Sequence, residues 1–281
     1  MTEFGIIPKV LSPRETMEYT QVIPKIIWQT MNTNKVPLFM KSYADSWIKQ
    51  NPEYEYRFSD DEDIIDFLKK DFPEFLEGYQ SLKYGASKAD LWRYLIIYKY
   101  GGVYADIDCF CINPLRKWIN KNAAFVTGLG TNNDICQWLI ISTPKSPIFL
   151  RAAEKTITNS SASKVSSVHY GFDYVQKRLV IRENKSISTF NHPVLALSGP
   201  PVLQEAAEEC LKEGLLSEIL PLTQVVCVSE ETPCQMNGNV RHDTGNKEYK
   251  KAFKILHLEH YNDKLVRFKR KFNKLFNAHL L

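Results

Sequence analysis

Two aspartates one residue apart, Asp106 and Asp108, stand in the run Gly101-Gly102-Val103-Tyr104-Ala105-Asp106-Ile107-Asp108. Carboxylate oxygens are hard donors that suit Mg²⁺ or Mn²⁺. An ion held there can bridge diphosphate oxygens and neutralise charge as a diphosphate departs. The stretch from Val103 to Asp108 is expected to be a strand, with Tyr104, Asp106 and Asp108 facing one way and Val103, Ala105 and Ile107 the other. Two residues of strand separate the aspartates by roughly 6.6 Å. Both carboxylates then leave one face near the carboxyl end of the strand, where open α/β sheets bind ligands.

The elements that must position this pair are legible on both sides. Ser87 and Asp90 match a Ser-x-x-Asp capping box, which predicts a helix starting there and stopping at Gly101-Gly102. Upstream, Pro24 to Thr30 reads as a buried strand and Leu38 to Gln50 as a helix ending before Pro52. Tyr54 to Phe58 alternates like a second strand, and Ser59-Asp60-Asp61-Glu62 looks like the cap of another helix. Downstream, strands are expected at 123–128 and 137–142, and helices at 147–156 and 201–213. Residues 159–192 read as an insertion, helical around Tyr170 to Val180. A late strand is expected at 253–258 and a final helix over 263–280. This strand–helix alternation predicts an α/β fold around a mostly parallel sheet.

Composition narrows the classes. Of 36 basic side chains, six fall in residues 264–274 with no acid among them, leaving 30 Lys+Arg against 31 Asp+Glu in residues 1–262. A body so nearly neutral argues against a nucleic-acid-binding face, which needs a basic stripe across the fold. The division expected is a catalytic body over 1–262 and a basic amphipathic helix over 263–281. That helix has two readings: peripheral contact with an anionic membrane surface, or an apolar stripe packed on the body. The six cysteines contain no Cys-x-x-Cys pair, so reduced structural thiols are expected. With neither a signal-length apolar core near the start nor a run of about 18 apolar residues, a cytoplasmic location is expected.

Residues 86–115 resemble the signature of glycosyltransferase family 32: a helix carrying Asp90 and Arg93, then Tyr-Gly-Gly-hydrophobic-Tyr-x-Asp-hydrophobic-Asp. Pro24 to Thr30 is similar to the family's opening strand, and a weaker echo runs through 142–147 and through Leu197-Ser198-Gly199-Pro200. The resemblance implies a GT-A (Rossmann-like) nucleotide-sugar-binding fold, a Mn²⁺ or Mg²⁺ cofactor, a nucleotide-sugar donor and a retained anomeric configuration. It places Asp106 and Asp108 at the catalytic metal, and Trp28, Gln29, Thr30, Asp90, Arg93, Tyr104 and Gly199 at the donor. Trp28 would stack on the base or else serve as core. His257 is implied as a third metal ligand, with His260 its competitor. No Trp follows Trp138, although many members carry a Ser-Trp or similar pair after this His, and Tyr261 is the nearest substitute. Gln137 stands near where many members carry Asn and has no role assigned.

The leading expectation is a hexosyltransferase acting on a glycan or glycolipid in polysaccharide or oligosaccharide biosynthesis, with a UDP-hexose favoured over GDP-mannose. Phosphoryl or nucleotidyl transfer also uses paired aspartates with Mg²⁺. It would call for a phosphate-cradling Gly-rich loop or further clustered carboxylates, and the sequence has neither. A non-catalytic sugar-nucleotide-binding protein on the same scaffold is the third reading.

Overall fold

Ile26-Ile27-Trp28-Gln29-Thr30 sets the plan of the molecule, because its alternate side chains enter different cores. In a computed structural model of the chain, residues 4–117, 119, 121–129, 135–161, 170–173, 178–181, 197–215, 220–222 and 234–236 are described. The elements run β1 (Phe4–Ile6), β2 (Val10–Leu11), β3 (Ile26–Thr30), β4 (Lys35–Pro37), α1 (Leu38–Gln50), β5 (Glu55–Ser59), α2 (Asp61–Asp71), α3 (Pro73–Ser81) and α4 (Gly85–Tyr100). They continue with β6 (Gly102–Ala105), β7 (Cys109–Cys111), β8 (Phe125–Leu129), β9 (Ile135–Ser142), α5 (Pro147–Ser161), β10 (Tyr170–Asp173), β11 (Arg178–Ile181), α6 (Pro200–Lys212), β12 (Leu220–Leu222) and β13 (Cys234–Met236).

A seven-stranded sheet, ordered β12-β8-β9-β6-β3-β5-β2, forms the middle layer. β3 runs parallel to both β5 and β6, and β12 parallel to β8. β9 runs against β6 and β8, and β2 against β5, so five of the seven strands share one direction. The sheet is mostly parallel, as the alternation predicts. Trp28, Tyr104, Phe125 and Ile140 project into a core with α2 to α6. Ile27, Tyr56, Val103, Ala105, Leu139 and Ile141 project into the opposite core with α1 and β7. The inner strands β3, β6 and β9 bury both faces, as the period of two requires of a covered sheet.

α4 lies against the sheet and is buried on most sides, so its sequence shows no polar face over Leu91 to Ile97. It ends at Gly101, whose amide closes on the Ile97 carbonyl at 2.8 Å. Gly101 and Gly102 adopt φ of 64° and 98°, a region L side chains rarely enter, and this turns the chain directly into β6. The stop read from the glycine pair is therefore present. The start differs: α4 begins at Gly85 with Tyr84 as N-cap and no side-chain cap bond. Ser87-x-x-Asp90 lies inside the helix, and Asp90 has tertiary partners instead. α2 carries a true capping box between Asp60 and Asp63.

Two further expectations are corrected. Residues 170–173 and 178–181 are strands where a helix is expected: β10 and β11 pair antiparallel, from Tyr170↔Ile181 to Asp173↔Arg178. The strand carrying the aspartates ends at Ala105, and Asp106 to Asp108 leave it as a turn into β7. The 253–258 strand and the 263–281 helix lie outside the described residues, as does the boundary at 262. Among the described residues, no helix is long and apolar enough to cross a membrane.

Candidate sugar-nucleotide site

Asp106 follows β6 at its carboxyl end, two residues beyond Tyr104 and on the same face. Its backbone is fixed first. The Asp106 amide donates to the Trp138 carbonyl at 2.9 Å, and the Cys109 amide donates back to the Asp106 carbonyl at 3.0 Å. That closure makes residues 106–109 a turn, so the alternation expected for a strand through Asp108 does not operate. Asp106 turns toward α4, while Asp108 is buried within electrostatic reach of Tyr43 on α1. Burial, then the Asp108 charge, pushes the Tyr43 phenol up.

Arg93 organises the α4 side. Its Nη2 lies 3.0 Å from Asp90 Oδ1 and 3.1 Å from Asp106 Oδ1, and its Nη1 donates to the Gln137 carbonyl at 2.8 Å. The guanidinium sits 4.5 Å from the centre of the Tyr104 ring, close enough for cation–π attraction. The Tyr104 hydroxyl donates to the same Asp106 Oδ1 at 2.5 Å. Asp90 accepts the Ser198 hydroxyl on Oδ2 at 2.6 Å. The Ser198 carbonyl in turn accepts from Tyr94 and Gln137. Burial outweighs Arg93 at Asp90, whose carboxyl is pushed up to about 6. Desolvation pulls the Arg93 guanidinium down, but the charges of Asp106, Tyr104, Asp90 and Tyr94 together outweigh it and the net direction is up.

The structure thus brings Asp90, Arg93, Tyr104 and Asp106 together. Arg93 is nearly buried, 7% exposed, with both Nη atoms bound to protein. It holds Asp106 in place, whereas the sequence reading put it against the donor. Asp106 keeps 19% side-chain exposure, and its Oδ2 has no bond among the described residues.

Other expected donor residues sit as follows. Trp28 is core: its ring nitrogen donates to the Gly101 carbonyl at 2.9 Å, and Tyr100 stacks on it at 5.7 Å. Of its two readings, packing is the one the structure favours. Gln29 is wholly buried and bonds to the Asp106 carbonyl. Thr30, at the carboxyl end of β3, donates to the Ser59 carbonyl at 2.7 Å. Gly199 is the N-cap of α6, beside Ser198, with Pro200 in the first turn where a missing N–H costs nothing. His257 and His260 lie outside the described residues.

Some participants were not read from the sequence. Ser198, Tyr94 and Gln137 join through contacts 44 to 108 residues apart in the chain, which no local pattern signals. Trp47 and Ser46 on α1, with Asn51 capping its end, hold the segment after Asp108: Trp47 donates to the Cys109 carbonyl, Ser46 accepts from the Cys111 amide and Asn51 from the Leu115 amide.

Two carboxylates flanking one turn have the donor chemistry for Mg²⁺ or Mn²⁺, and Asp106 Oδ2 is open to a ligand. Among the described residues, no group of three His, Cys, Asp or Glu gathers, so the two carboxylates alone would supply only part of a coordination shell.

A mostly parallel sheet between helical layers, with an Asp-x-Asp turn at the carboxyl end of an inner strand, is the GT-A fold. It aligns with the ligand-free glycosyltransferase domain of the YGT toxin at a TM-score of 0.50, covering 76% of this chain and 82% of that one, at 8% identity. Residues 37–125 match the family model described as the glycosyltransferase sugar-binding region containing DXD motif.

Several relatives agree with that class. The chain is 36% identical over 134 residues to mannosyl phosphorylinositol ceramide synthase of Saccharomyces cerevisiae, covering 47% of this chain and 34% of the relative. It is 39% identical over 116 residues to inositol phosphoceramide mannosyltransferase 3 of Schizosaccharomyces pombe, covering 39% and 32%. It is 27% identical over 204 residues to an uncharacterized glycosyltransferase of Acanthamoeba polyphaga mimivirus, covering 70% of each. The match to the two yeast proteins thus spans about a third of their length. Together the matches support a glycosyltransferase.

Proposed function

We propose that this protein transfers a hexose from a nucleoside-diphosphate sugar to a glycan or glycolipid, with GDP-mannose as the donor. The observation that carries the reading is Asp106. Its Oδ1 is clamped by Arg93 and Tyr104 at the carboxyl end of β6, and its Oδ2 is open. The names of the yeast relatives describe mannosyl transfer, which supports GDP-mannose over the UDP-hexose favoured from sequence. They also support an inositol phosphoceramide-type glycolipid as acceptor.

Asp106 and Asp108, with His257 as a third donor, would hold Mn²⁺ or Mg²⁺; a divalent ion supplies Lewis-acid neutralisation of a departing diphosphate. The residues around it do the positioning. Arg93 offsets the Asp106 charge and fixes its rotamer, so the open oxygen is aimed before a donor arrives. Thr30 and Gly199 border the donor from β3 and α6. Anomeric configuration is retained, the acceptor hydroxyl attacking from the leaving-group side while a diphosphate oxygen accepts its proton.

The test is turnover of GDP-mannose, UDP-glucose and UDP-galactose with Mn²⁺ or with EDTA, using inositol phosphoceramide and α-mannosides as acceptors. GDP-mannose turnover that is lost with EDTA and in Asp108→Asn is expected. Turnover confined to a UDP-sugar would overturn the donor assignment, and no turnover of any sugar nucleotide would overturn the enzyme. A covalent sugar trapped on Asp or Glu would end the front-face mechanism.

A further inference from the structure

Gln29 is completely buried beneath the Asp106 turn, and both ends of its amide are engaged. Nε2 donates to the Asp106 carbonyl at 3.2 Å, and Oε1 accepts the Tyr56 hydroxyl at 2.7 Å. The orientation is forced. A flipped amide would set Oε1 against the Asp106 carbonyl, two acceptors with no proton between them. Tyr56 is itself buried on β5, so its hydroxyl remains protonated and a donor. The Asp106 carbonyl therefore accepts twice, from Gln29 and from the Cys109 amide that closes the turn.

We propose that Gln29, with Tyr56 behind it, is a positioning residue: it fixes the Asp106–Cys109 turn through the main chain and so sets where Asp106 and Asp108 present their oxygens. This replaces the expectation that Gln29 lies at the donor, since a wholly buried amide has no donor-facing surface. It rests on the reading of Asp106 and Asp108 as the metal-binding pair. The chain of contacts crosses three neighbouring strands, from β5 through β3 to the end of β6, each step a hydrogen bond from a buried side chain. Buried polar chains of this kind rigidify what they hold. Groups that orient metal ligands from behind typically matter about 10- to 100-fold in metal affinity.

The experiment measures Mn²⁺ binding to the full chain by electron paramagnetic resonance in the presence of GDP, alongside melting temperature and sugar-nucleotide turnover. Gln29→Met keeps the volume and removes both hydrogen bonds; about 10-fold weaker Mn²⁺ binding is expected. Tyr56→Phe deletes one hydroxyl and should weaken binding about threefold, and it keeps the test decisive should Gln29→Met not fold. The double variant should bind no more weakly than Gln29→Met alone, because the two residues act in series. Unchanged Mn²⁺ affinity in either single variant overturns the proposal. So does a raised donor KM with normal Mn²⁺ affinity, which would place Gln29 on the donor. Wild-type protein that neither binds Mn²⁺ with GDP nor turns over any sugar nucleotide fails the functional reading itself, and the proposal falls with it.

Discussion

Arg93 Nη2 lies 3.1 Å from Asp106 Oδ1, and that one oxygen also takes the Tyr104 hydroxyl at 2.5 Å. The arrangement is asymmetric: one oxygen of Asp106 is bound by the fold and the other is open. A buried cation between Asp90 and Asp106 thereby decides which way the carboxylate faces.

Removing that cation should be costly. Arg93→Met strands two carboxylates, and breaking a buried pair on one side costs about 3–5 kcal/mol. Arg93→Lys should lose less, since an ammonium still offsets charge, but it cannot span both carboxylates and the Gln137 carbonyl together. Asp90→Asn combined with Arg93→Met should recover part of the loss. Urea denaturation of the three variants checks the order. Arg93→Met within about 1 kcal/mol of wild type would sink the account.

Asp90 gives stability a pH dependence. Burial, helped by the Asp106 charge and opposed by Arg93, Ser198 and Gln137, pushes its carboxyl up to about 6, whereas in the unfolded chain it titrates near 3.8. Between these values the folded state holds a proton that the unfolded state has released. The contribution is fully present below about pH 4, declines as pH rises and is lost above about pH 6. Asp90→Asn should flatten the stability curve over this window by up to about 3 kcal/mol relative to wild type. Urea midpoints at pH 4 and pH 6.5 measure it. Parallel curves for the two proteins would show that Asp90 does not titrate there.

Gly102 and Gly78 predict a contrast. A Cβ at Gly102 would meet the Ile26 carbonyl at 2.6 Å, with φ at 98°. Neither backbone can give way, so Gly102→Ala should cost about 2–3 kcal/mol and lower the melting temperature. Gly78 is crowded too, its Cβ 2.5 Å from Ile157 Cδ1 and 3.2 Å from Cγ1 and Cγ2, but these are atoms of one side chain, which can shift where a backbone cannot. Helix propensity favours alanine there by about 1 kcal/mol, so Gly78→Ala should melt close to wild type. Equal losses at both positions would remove the backbone explanation.

What the sequence made legible follows from which interactions are local. α1 runs from Leu38 to Gln50 as read, because its periodicity and Pro52 are local facts. Gly101-Gly102 marked the end of α4 for the same reason. The start of α4 is not legible locally, since Ser87-x-x-Asp90 looks identical whether Asp90 caps a helix or meets Ser198, 108 residues away. β6 ended early because the Asp106 turn is set by Trp138 and Gln29, partners no local pattern reveals. The run Tyr170-Gly171-Phe172-Asp173 is too short for its pattern to separate strand from helix, and its pairing with 178–181 is what makes it a strand. Within the site, the Asp-x-Asp pair and Asp90-x-x-Arg93 were found by type and spacing. Their connection through Arg93 needed coordinates.

The segment after Asp108 supplies the last prediction. β7 pairs with β13, and α1 side chains bond to the chain from 109 to 115: Trp47 to the Cys109 carbonyl at 2.8 Å, Gln50 to the Ile112 carbonyl at 3.0 Å, and the Leu115 amide to Asn51 at 2.7 Å. Asn51 also donates to the Trp47 carbonyl at 3.0 Å, so it ties the end of α1 to this segment. Asn51→Ala leaves the buried Leu115 amide without its acceptor and should cost about 2 kcal/mol. Asn51→Asp keeps that acceptor but buries a charge beside the Trp47 carbonyl, so it should cost at least as much at pH 7 and less at pH 4. Hydrogen exchange at the Leu115 amide reports the local loss, and urea denaturation the global one. Protection at Leu115 unchanged in Asn51→Ala would mean that α1 merely lies beside the segment following Asp108, and that its orientation is set from the β13 side instead.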